Sequence, residues 1–469
     1  GNQDIVKYSQ FEKFNTALNI GWKIHNKGIL RADAIFDQAH DIGYPALPMD
    51  VSLAEAIMGS ISYKHIFETS IISDWDTKLY FNNIRHYMDD STRDEADKLP
   101  TKMDMPGKSQ TYGASSKIRL GKSNFSTDIQ LNAYQNVSTA EMVMYYTTGG
   151  GTMFTYTWPE VATRYGGLSI SNKWDIDNHI VSFGGSTGLH NNYVQSDMGY
   201  NLNQVFHQFE RSKNRFLANL YTNYALKTDK FLITAGIGYG QRAPSVSEGY
   251  GFYLFNSSDG FDYIGNPNLP NEISYEANFS AKYSTEKLTL EAKTNFFHIK
   301  NYIFGVRFGE ISWQMTPLAE RRGVKMYEAL KYANQLNASL AADWNIFDYL
   351  HWKNSVGYAY GEDFQGNTLP FIRPLHYTSS ILFHKNNFRT ELILMGDTTQ
   401  TQYSIAYGED ETPAYTLLHL RIGYQIVSPK IDIELGVENL FDSYYSTYAN
   451  WKNFPQMGRN ILLSVRYSF

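Results

Sequence analysis

Apolar and polar residues alternate along most of the chain. Between Phe14 and His25, one set of alternate positions is Phe14, Thr16, Leu18, Ile20, Trp22 and Ile24, and the other is Asn15, Ala17, Asn19, Gly21, Lys23 and His25. A period of two residues predicts β-strands with one apolar and one polar face. The next stretch continues the pattern across a short turn, with Arg31, Asp33 and Asp37 on its polar face. Charged residues in a membrane-spanning strand must face water, so this pattern predicts a transmembrane barrel that is apolar outside and polar inside.

The same unit of strand, short turn, strand and long loop recurs along the whole sequence. It predicts about nineteen strands of roughly ten residues each. Asp175–Asn178 is a typical short turn, and Pro244–Asn271 is a typical long loop. The Ala and Leu residues of Met326–Trp344 would also suit a helix, but both neighbours are strands, so a strand is predicted there. The predicted fold is all-β, a transmembrane antiparallel β-barrel, with residues 1–469 forming one barrel domain.

The last segment is amphipathic and ends on an aromatic residue. Ile461, Leu463, Val465, Tyr467 and Phe469 alternate with Leu462, Ser464, Arg466 and Ser468. A final strand ending in Phe resembles the signal that the outer-membrane assembly machinery recognises, so that machinery is an expected partner through Phe469. Single-chain bacterial barrels have even strand numbers, and the final strand should end in the periplasm. Counting back nineteen strands places the first strand's start outside the cell, so we expect further strands upstream.

Composition supports the barrel and excludes several other classes of protein. Aromatic residues make up 15% of the chain, with 36 Tyr and 28 Phe, although the mean hydropathy is only −0.41. No apolar run approaches the roughly 20 residues of a spanning helix, which excludes helical membrane insertion. The absence of Cys excludes disulfides, thiolate zinc sites and cysteine nucleophiles. A net charge of −6 without any basic tract argues against nucleic acid as a partner.

Several motifs, in their order along this strand pattern, resemble those of TonB-dependent outer-membrane receptors. Val437–Asp442 followed by Tyr444-Tyr445 resembles the family's penultimate-strand motif, and Met457-Gly458-Arg459 precedes the last strand, where the family often has Pro-Gly-Arg. Gln241–Pro244 and Gly265–Leu269 resemble its paired mid-barrel motifs. Tyr44–Asp50 resembles an early extracellular loop of some members. Together these matches cover nearly the whole chain.

The resemblance implies a barrel of about 22 strands whose lumen is closed by an N-terminal plug domain. It places the protein in the outer membrane of a Gram-negative bacterium, surrounded by outer-membrane lipid. The implied partner is TonB with its inner-membrane motor, acting through the plug. The plug and the first three strands are expected to lie outside this sequence. An accessory lipoprotein is a further candidate partner.

Sulfur and imidazole are concentrated in two predicted extracellular regions. One region contains His86 and Met88 at the end of a strand, with Met103 and Met105 closing the same loop; Met142 and Met144 lie near the extracellular end of another strand. Thioethers are soft ligands that favour Cu(I), often together with imidazole. These six residues are therefore the candidate metal ligands. The alternative is that the methionines pack a loop or face lipid.

A second candidate site is an aromatic loop that could grip an anionic metal chelate. Its proposed substrate-binding residues are Arg242, Tyr250, Tyr253 and Tyr263. Siderophore receptors of the resembled family use aromatic walls with a few cationic residues, which makes a siderophore a candidate substrate. The alternative is an ordinary surface loop with interfacial aromatics. Haem receptors typically carry a His between the paired motifs, and Ala243–Asn266 contains no His, which argues against haem, although Tyr can also ligate haem iron.

The main functional hypothesis is energised import of a scarce metal ion or complex, either copper or a siderophore, through a plugged barrel. The alternative is an ungated pore or a structural barrel involved in adhesion. A membrane-embedded hydrolase is disfavoured because no Gly-x-Ser-x-Gly nucleophile motif lies between a strand and a helix. The chain is therefore not expected to be an enzyme. No intrinsic cofactor is expected, and a bound metal would be the substrate.

Overall fold

The computed structural model describes residues 6–45, 47, 49–68, 71–95, 98, 102–122, 124–146, 150–308, 322–450 and 453–468. These residues form one sheet of 21 strands. The first ten strands are β1 (Glu12–His25), β2 (Gly28–Ile42), β3 (Asp50–Ile66), β4 (Ile72–Asp89), β5 (Lys102–Lys122), β6 (Phe125–Tyr146), β7 (Gly151–Ile176), β8 (His179–Val194), β9 (Ser212–Lys227) and β10 (Phe231–Arg242). The others are β11 (Leu254–Asn256), β12 (Phe261–Ile264), β13 (Glu272–Ser284), β14 (Leu288–Arg307), β15 (Gly323–Phe347), β16 (Leu350–Asp363), β17 (His376–Lys385), β18 (Phe388–Asp397), β19 (Tyr415–Ile426), β20 (Ile431–Glu438) and β21 (Asn460–Tyr467).

Nineteen of these strands form the wall of an antiparallel barrel, and each pairs with the next one along the chain. The exception is β10, which pairs directly with β13 because β11 and β12 form a small hairpin in the intervening loop. The predicted transmembrane antiparallel β-barrel is therefore confirmed, and so is its strand count. Met326–Trp344 lies within β15 and is a strand as predicted. Phe469, the proposed assembly signal, lies outside the described residues.

The two faces of the barrel wall differ as the alternation predicted. Large apolar side chains on the outer face are strongly exposed, for example Leu79 (59%), Leu131 (58%) and Leu189 (69%). The lumenal face instead carries hydrogen-bonded polar pairs, such as Ser60 donating to Asp33 and Arg119 bridging to Asp128. Exposed apolar residues on one face and paired polar residues on the other fit a wall between lipid and a wet lumen.

Several strands extend beyond the loop boundaries that the sequence predicted. Met103–Pro106 was expected in a loop, but it lies within β5, where Met105 pairs with Met88 and Pro106 with Tyr87 of β4. With 26 residues, β7 is more than twice as long as the roughly 9–11 residues needed to cross a bilayer. The reason is that cross-strand hydrogen bonding continues past the apolar band, in a region where the hydrophobic alternation has already ended.

The sheet has two edges among the described residues. β1 pairs only with β2, and β21 pairs only with β20. Both edge strands run from the long-loop end of the barrel to the short-turn end. They are therefore parallel to each other, and they cannot pair directly in an antiparallel barrel.

The buried cores lie at the long-loop end of the barrel, in the loops and on the outer parts of the strands, and not in the middle of the lumen. Helix α1 (Asp197–Gln204) follows β8, and the short helix α2 (Val246–Tyr250) follows β10. Tyr250 packs against Val161 and Val194, which ties α2 to β7 and β8. The helices among the described residues are all too short and too polar to cross a membrane.

Candidate functional site

Seven methionines pack together at the long-loop end. This methionine cluster consists of Met49, Met88, Met103, Met105, Met142, Met144 and Met153. It contains more than half of the 13 methionines in the chain. Its centre is almost inaccessible to solvent, since Met144 is 1% exposed and Met103 is 3% exposed.

Strand register explains why these residues meet. Met88 lies opposite Met105 in the pairing of β4 with β5, and Met103 lies opposite Met144 in the pairing of β5 with β6. Met144 in turn lies opposite Met153 of β7. Residues that are opposite each other, or two apart on one strand, share a face of the sheet. Alternation along β4 places Met88 on the same face as Asp76 and Lys78, so the cluster lines the lumen.

The side-chain composition of the cluster is unusual for a hydrophobic core. Its members and the partly buried residues packed on them are all methionines. The three other cores among the described residues contain the usual aliphatic and aromatic residues, such as Ile264, Val161 and Leu369. Simple packing would be served equally well by Leu, because Leu and Met exchange at small cost. The cluster is therefore an unusual concentration of sulfur for a hydrophobic core.

His86 borders the cluster without joining it. It precedes Met88 by two residues on β4 and lies on the same lumenal face, one step toward the short-turn end. Its ring is exposed and has no hydrogen-bond partner in the described part of the chain. Gly107 of β5 lies opposite His86, so no side chain covers it from that strand. Of the six residues predicted as metal ligands, five lie together in the cluster and His86 lies beside it.

A buried ion pair holds the outermost methionine in place. Arg93 binds Asp50 at 2.7 Å, and both side chains are at least 95% buried. The same guanidinium donates to the carbonyl oxygens of Met49 (3.3 Å) and Tyr44 (3.0 Å). It also lies 4.4 Å from the ring centroid of Tyr8. The loop after β4 is thereby fixed to the start of β3, with Met49 between them.

Within the described ranges, no three His, Asp or Glu side chains converge as metal ligands. The thioethers of the cluster are soft, polarisable ligands, which bind Cu(I) in preference to hard cations such as Mg²⁺ or Ca²⁺. Met88 and Met105 are only partly buried, so an ion arriving from the long-loop side would reach these two thioethers first. The role of the cluster as a soft-metal site stays a prediction.

Arg242, the predicted cationic residue of the aromatic loop, is engaged in ion pairs. Its guanidinium contacts Glu248 at 2.7 Å and also binds Glu272. Glu248 in turn accepts from the backbone N–H of Ser245, and this completes the capping box of α2. The Arg242 side chain therefore fixes the start of the loop to β13.

Tyr250, Tyr253 and Tyr263 are at most 5% exposed. Tyr250 contacts β7 and β8, and Tyr253 packs in a second small core with Ile264. Tyr263 donates to Asp259 at 2.7 Å, and Asp259 also binds the buried Lys325 at 2.5 Å. These rings form the interior of the loop, and their role in binding a chelate stays a prediction.

Both mid-barrel motifs contact the segment of α2, the first through the ion pair of Arg242 with Glu248. The N–H of Gly265 donates to the carbonyl of Gly251 (2.7 Å), and the N–H of Asn266 donates to the carbonyl of Glu248 (2.8 Å). A Cβ atom on Gly265 would lie only 2.5 Å from the backbone nitrogen of Tyr250, so this close approach requires glycine. The two motifs thus clamp the loop that follows β10.

Two members of the cluster, Met49 and Met153, were not predicted as metal ligands from the sequence. The other methionines were predicted because sulfur and imidazole are concentrated in two predicted extracellular regions. Met153 could have been found by extending the hairpin register outward from the turn after Tyr146, which places it opposite Met144. Met49 carried no comparable signal, because its position depends on the pairing of β3 with β4.

The loop after β10 should loosen in acid. Burial opposes ionisation of Glu248, but hydrogen bonds from Arg242 and Ser245 and the guanidinium charge outweigh it and lower the pKa of Glu248 from its ordinary 4.5. The stabilisation is therefore complete above pH 4.5 and is lost as the pH falls through the lower folded value. Trp158 donates to Ser247 of α2, so the ¹⁹F signal of 5-fluorotryptophan at position 158 should shift in this range. In Arg242→Gln that shift should move to higher pH; an identical titration in both proteins would contradict the assignment.

Known proteins share this architecture. The model of the family described as "TonB dependent receptor-like, beta-barrel" matches residues 2–440. No curated protein matches the chain.

Solved structures with the same fold include "Copper transporter OprC", with a TM-score of 0.83 and 15% identity over 98% of this chain and 72% of that one. Another is the FrpB iron transporter from Neisseria meningitidis (F3-3 variant), with a TM-score of 0.73 and 12% identity over 99% and 73% of the two chains. The ferric yersiniabactin uptake receptor FyuA from Yersinia pestis has a TM-score of 0.68 and 15% identity over 98% and 71%. With its strand order, its two wall faces and this family match, the chain belongs to the TonB-dependent receptor family, of which it forms the β-barrel.

Proposed function

We propose that this protein imports copper, bound as Cu(I), across the outer membrane as a TonB-dependent transporter. The observation that carries the proposal is the methionine cluster on the lumenal face at the extracellular end of β4–β7. Seven thioethers packed together form a ligand set for a soft ion.

The position of His86 extends the proposal to the direction of transfer. His86 lies on the same strand face as Met88 and one step further into the lumen, and its ring is free to bind. An ion released from the cluster would meet this imidazole next, and imidazole is a frequent partner of thioethers for copper. His86 is thus proposed as the inner ligand of the site.

Gating is proposed to come from a plug domain inside a barrel wall that further strands complete. Because β1 and β21 run in the same direction, an odd number of further strands must lie between them in a closed antiparallel wall. Three would give a barrel of about 22 strands, the size that encloses a plug. Lumenal side chains such as Asp33, Asp37 and Lys78 would contact that plug, and TonB would supply the work of opening it.

Copper is favoured over a siderophore as the substrate by the contacts that the residues of the two candidate sites make. Arg242 is held by two carboxylates, and the three tyrosines of its loop are packed inside it. The methionines of the cluster instead pack against one another. The structural neighbours include a protein described as a copper transporter and others described as siderophore or ferric-catecholate receptors. At 10–15% identity they support the fold and do not decide between copper and a siderophore as the substrate.

Energised uptake is tested by copper accumulation in cells. Cells that produce the full-length protein should accumulate ⁶⁴Cu supplied with ascorbate, and a protonophore should reduce this to the level of cells without the protein. Unchanged accumulation after the protonophore would support the ungated-pore alternative. Equal accumulation with and without the protein would remove the copper proposal.

A further inference from the structure

Three basic side chains lie on the outer face of the barrel wall near its extracellular end. They are Arg85 on β4, Lys108 on β5 and Arg164 on β7, and all three are exposed. We call them the basic arc. Each lies on the same face of its strand as lipid-facing residues. Examples of these are Leu79 on β4, Tyr112 on β5 and Leu168 on β7, which are 59%, 56% and 37% exposed.

The height of the basic arc follows from its distance to the periplasmic aromatic belt. Arg85 comes ten residues after the outward-facing Trp75, and Arg164 precedes the outward-facing Trp174 by ten. Ten residues of a strand tilted by about 40° rise about 25 Å, which is the height of the apolar band of such barrels. The arc therefore lies where the headgroups of the outer leaflet meet the barrel.

The positive charge of the arc is poorly compensated by the protein. Arg85 and Lys108 are directly opposite each other in the pairing of β4 with β5, an arrangement that is destabilising for like charges. Glu55 approaches Arg85 only to 4.0 Å, and Arg164 donates to the neutral amide of Gln135 at 3.1 Å. Lys108 has no ion-pair partner in the described part of the chain. Three cations thus face one nearby carboxylate.

An apolar groove lies on the same wall, on the membrane side of the arc. It has a volume of about 400 Å³ and is lined by outward-facing side chains that include Ile20, Ile61, Leu79 and Phe81. Its floor contains Ala32 and Gly59, whose small size creates the depression. Phe81 precedes Arg85 by four residues on β4, so the groove begins about 13 Å along the strand from the guanidinium.

We propose that the basic arc and this groove bind an anionic, phosphate-bearing lipid of the outer leaflet, with its phosphates on Arg85, Lys108 and Arg164 and an acyl chain in the groove. An anionic headgroup relieves the repulsion between Arg85 and Lys108 that the protein leaves uncompensated. Cationic side chains at the membrane surface attract anionic lipids through the same electrostatics. At the corresponding level of the opposite wall, Tyr360 donates to Glu362, so an anionic headgroup is not attracted there.

The test is lipid retention by the purified full chain in a neutral detergent, measured by native mass spectrometry. Dioleoylphosphatidylglycerol and dioleoylphosphatidylcholine are added at equal concentrations. Wild-type protein should retain the phosphatidylglycerol preferentially. The variant Arg85→Gln/Lys108→Gln/Arg164→Gln should bind it about a hundredfold more weakly. Inorganic phosphate should not compete at equal concentration; effective competition would identify the arc as a site for the free anion and overturn the lipid assignment.

The matched control is Lys23→Gln/Lys282→Gln/Lys353→Gln, which removes three lumenal cations and the same net charge. This control should retain phosphatidylglycerol like the wild type; an equal loss in both variants would overturn the proposal. Heat-modifiable gel mobility reports whether each barrel is folded. If the arc variant does not fold, salt provides the second measurement, since raising NaCl should release phosphatidylglycerol but not phosphatidylcholine from the wild type. Salt-independent retention would refute the electrostatic site.

Discussion

Replacement of Met103, Met142 and Met144 by leucine should weaken Cu(I) binding by about a hundredfold, because the loss of metal ligands is at least as severe as the loss of their supporting residues. Leucine preserves the apolar volume, and such exchanges cost less than about 1.5 kcal/mol in a core. The variant should therefore fold normally and lose only its sulfur. Competition with the chromophoric chelator bicinchoninate measures the affinity, and Ag(I) serves as a second soft-ion probe.

The control for this prediction exchanges three methionines outside the cluster. Met58, Met326 and Met395 can be replaced by leucine in the same number and with the same chemistry. This control should bind Cu(I) like the wild type. Comparable affinities in the two variants would mean that the cluster is an ordinary core, and the copper proposal would fall with it. In the wild type, Cu(II) should compete poorly with Cu(I), because Cu(II) prefers nitrogen and oxygen ligands.

Arg93→Met should destabilise the extracellular end of β3 and β4 by about 3–5 kcal/mol, the usual cost of leaving one partner of a buried ion pair uncompensated. Asp50 is 2% exposed and would lose its counterion, and the carbonyls of Met49 and Tyr44 would lose a donor. Hydrogen exchange of the amides of Val51 and Met88 should accelerate strongly. Because Met49 belongs to the methionine cluster, the affinity for Cu(I) should decrease as well.

Two comparisons separate the ion pair from a general effect of mutation. Asp50→Asn combined with Arg93→Met removes both charges and should recover part of the lost protection. Arg389→Met removes an arginine that is 30% exposed and paired with Asp432 and Glu434 on the lumenal wall. Exposed pairs contribute about 0–1 kcal/mol, so this variant should leave exchange at Val51 unchanged. Equal acceleration in Arg93→Met and Arg389→Met would contradict the special role of the buried pair.

The barrel could be predicted from the sequence because its signal is local. Alternation along each strand is a property of neighbouring residues, and it predicts the nineteen strands of the barrel wall. Met326–Trp344 was predicted as a strand only because both of its neighbours are strands. The outer ends of the strands could not be located in this way. Beyond the apolar band both faces are wet or covered by loops, so β5 begins at Lys102 with no change of hydrophobic pattern to mark it.

The candidate site was predictable from the sequence only in part. Residue type alone identified Met103 and Met105 in a predicted loop, and Met142 and Met144 near the extracellular end of a predicted strand. Their mutual contact depends on the pairing of four strands, and Met49 joins them only because Arg93 reaches back across 43 residues to Asp50. The carboxylates that hold Arg242 illustrate the same limit, since Glu272 lies thirty residues further along the chain. Charge complementarity over such distances leaves no pattern in the sequence.

The nearly complete burial of Met144, Met103 and Met142 also determines how the cluster would respond to oxidants. Conversion of a thioether to its sulfoxide turns a soft apolar ligand into a polar, chiral one, and it disrupts methionine-rich packing. Peroxide formed by redox cycling of copper at the cell surface would reach the partly buried Met88 and Met105 first. The inner sulfurs, each no more than 4% exposed, would keep their affinity longest. The cluster would then lose its function gradually, from its rim toward its centre.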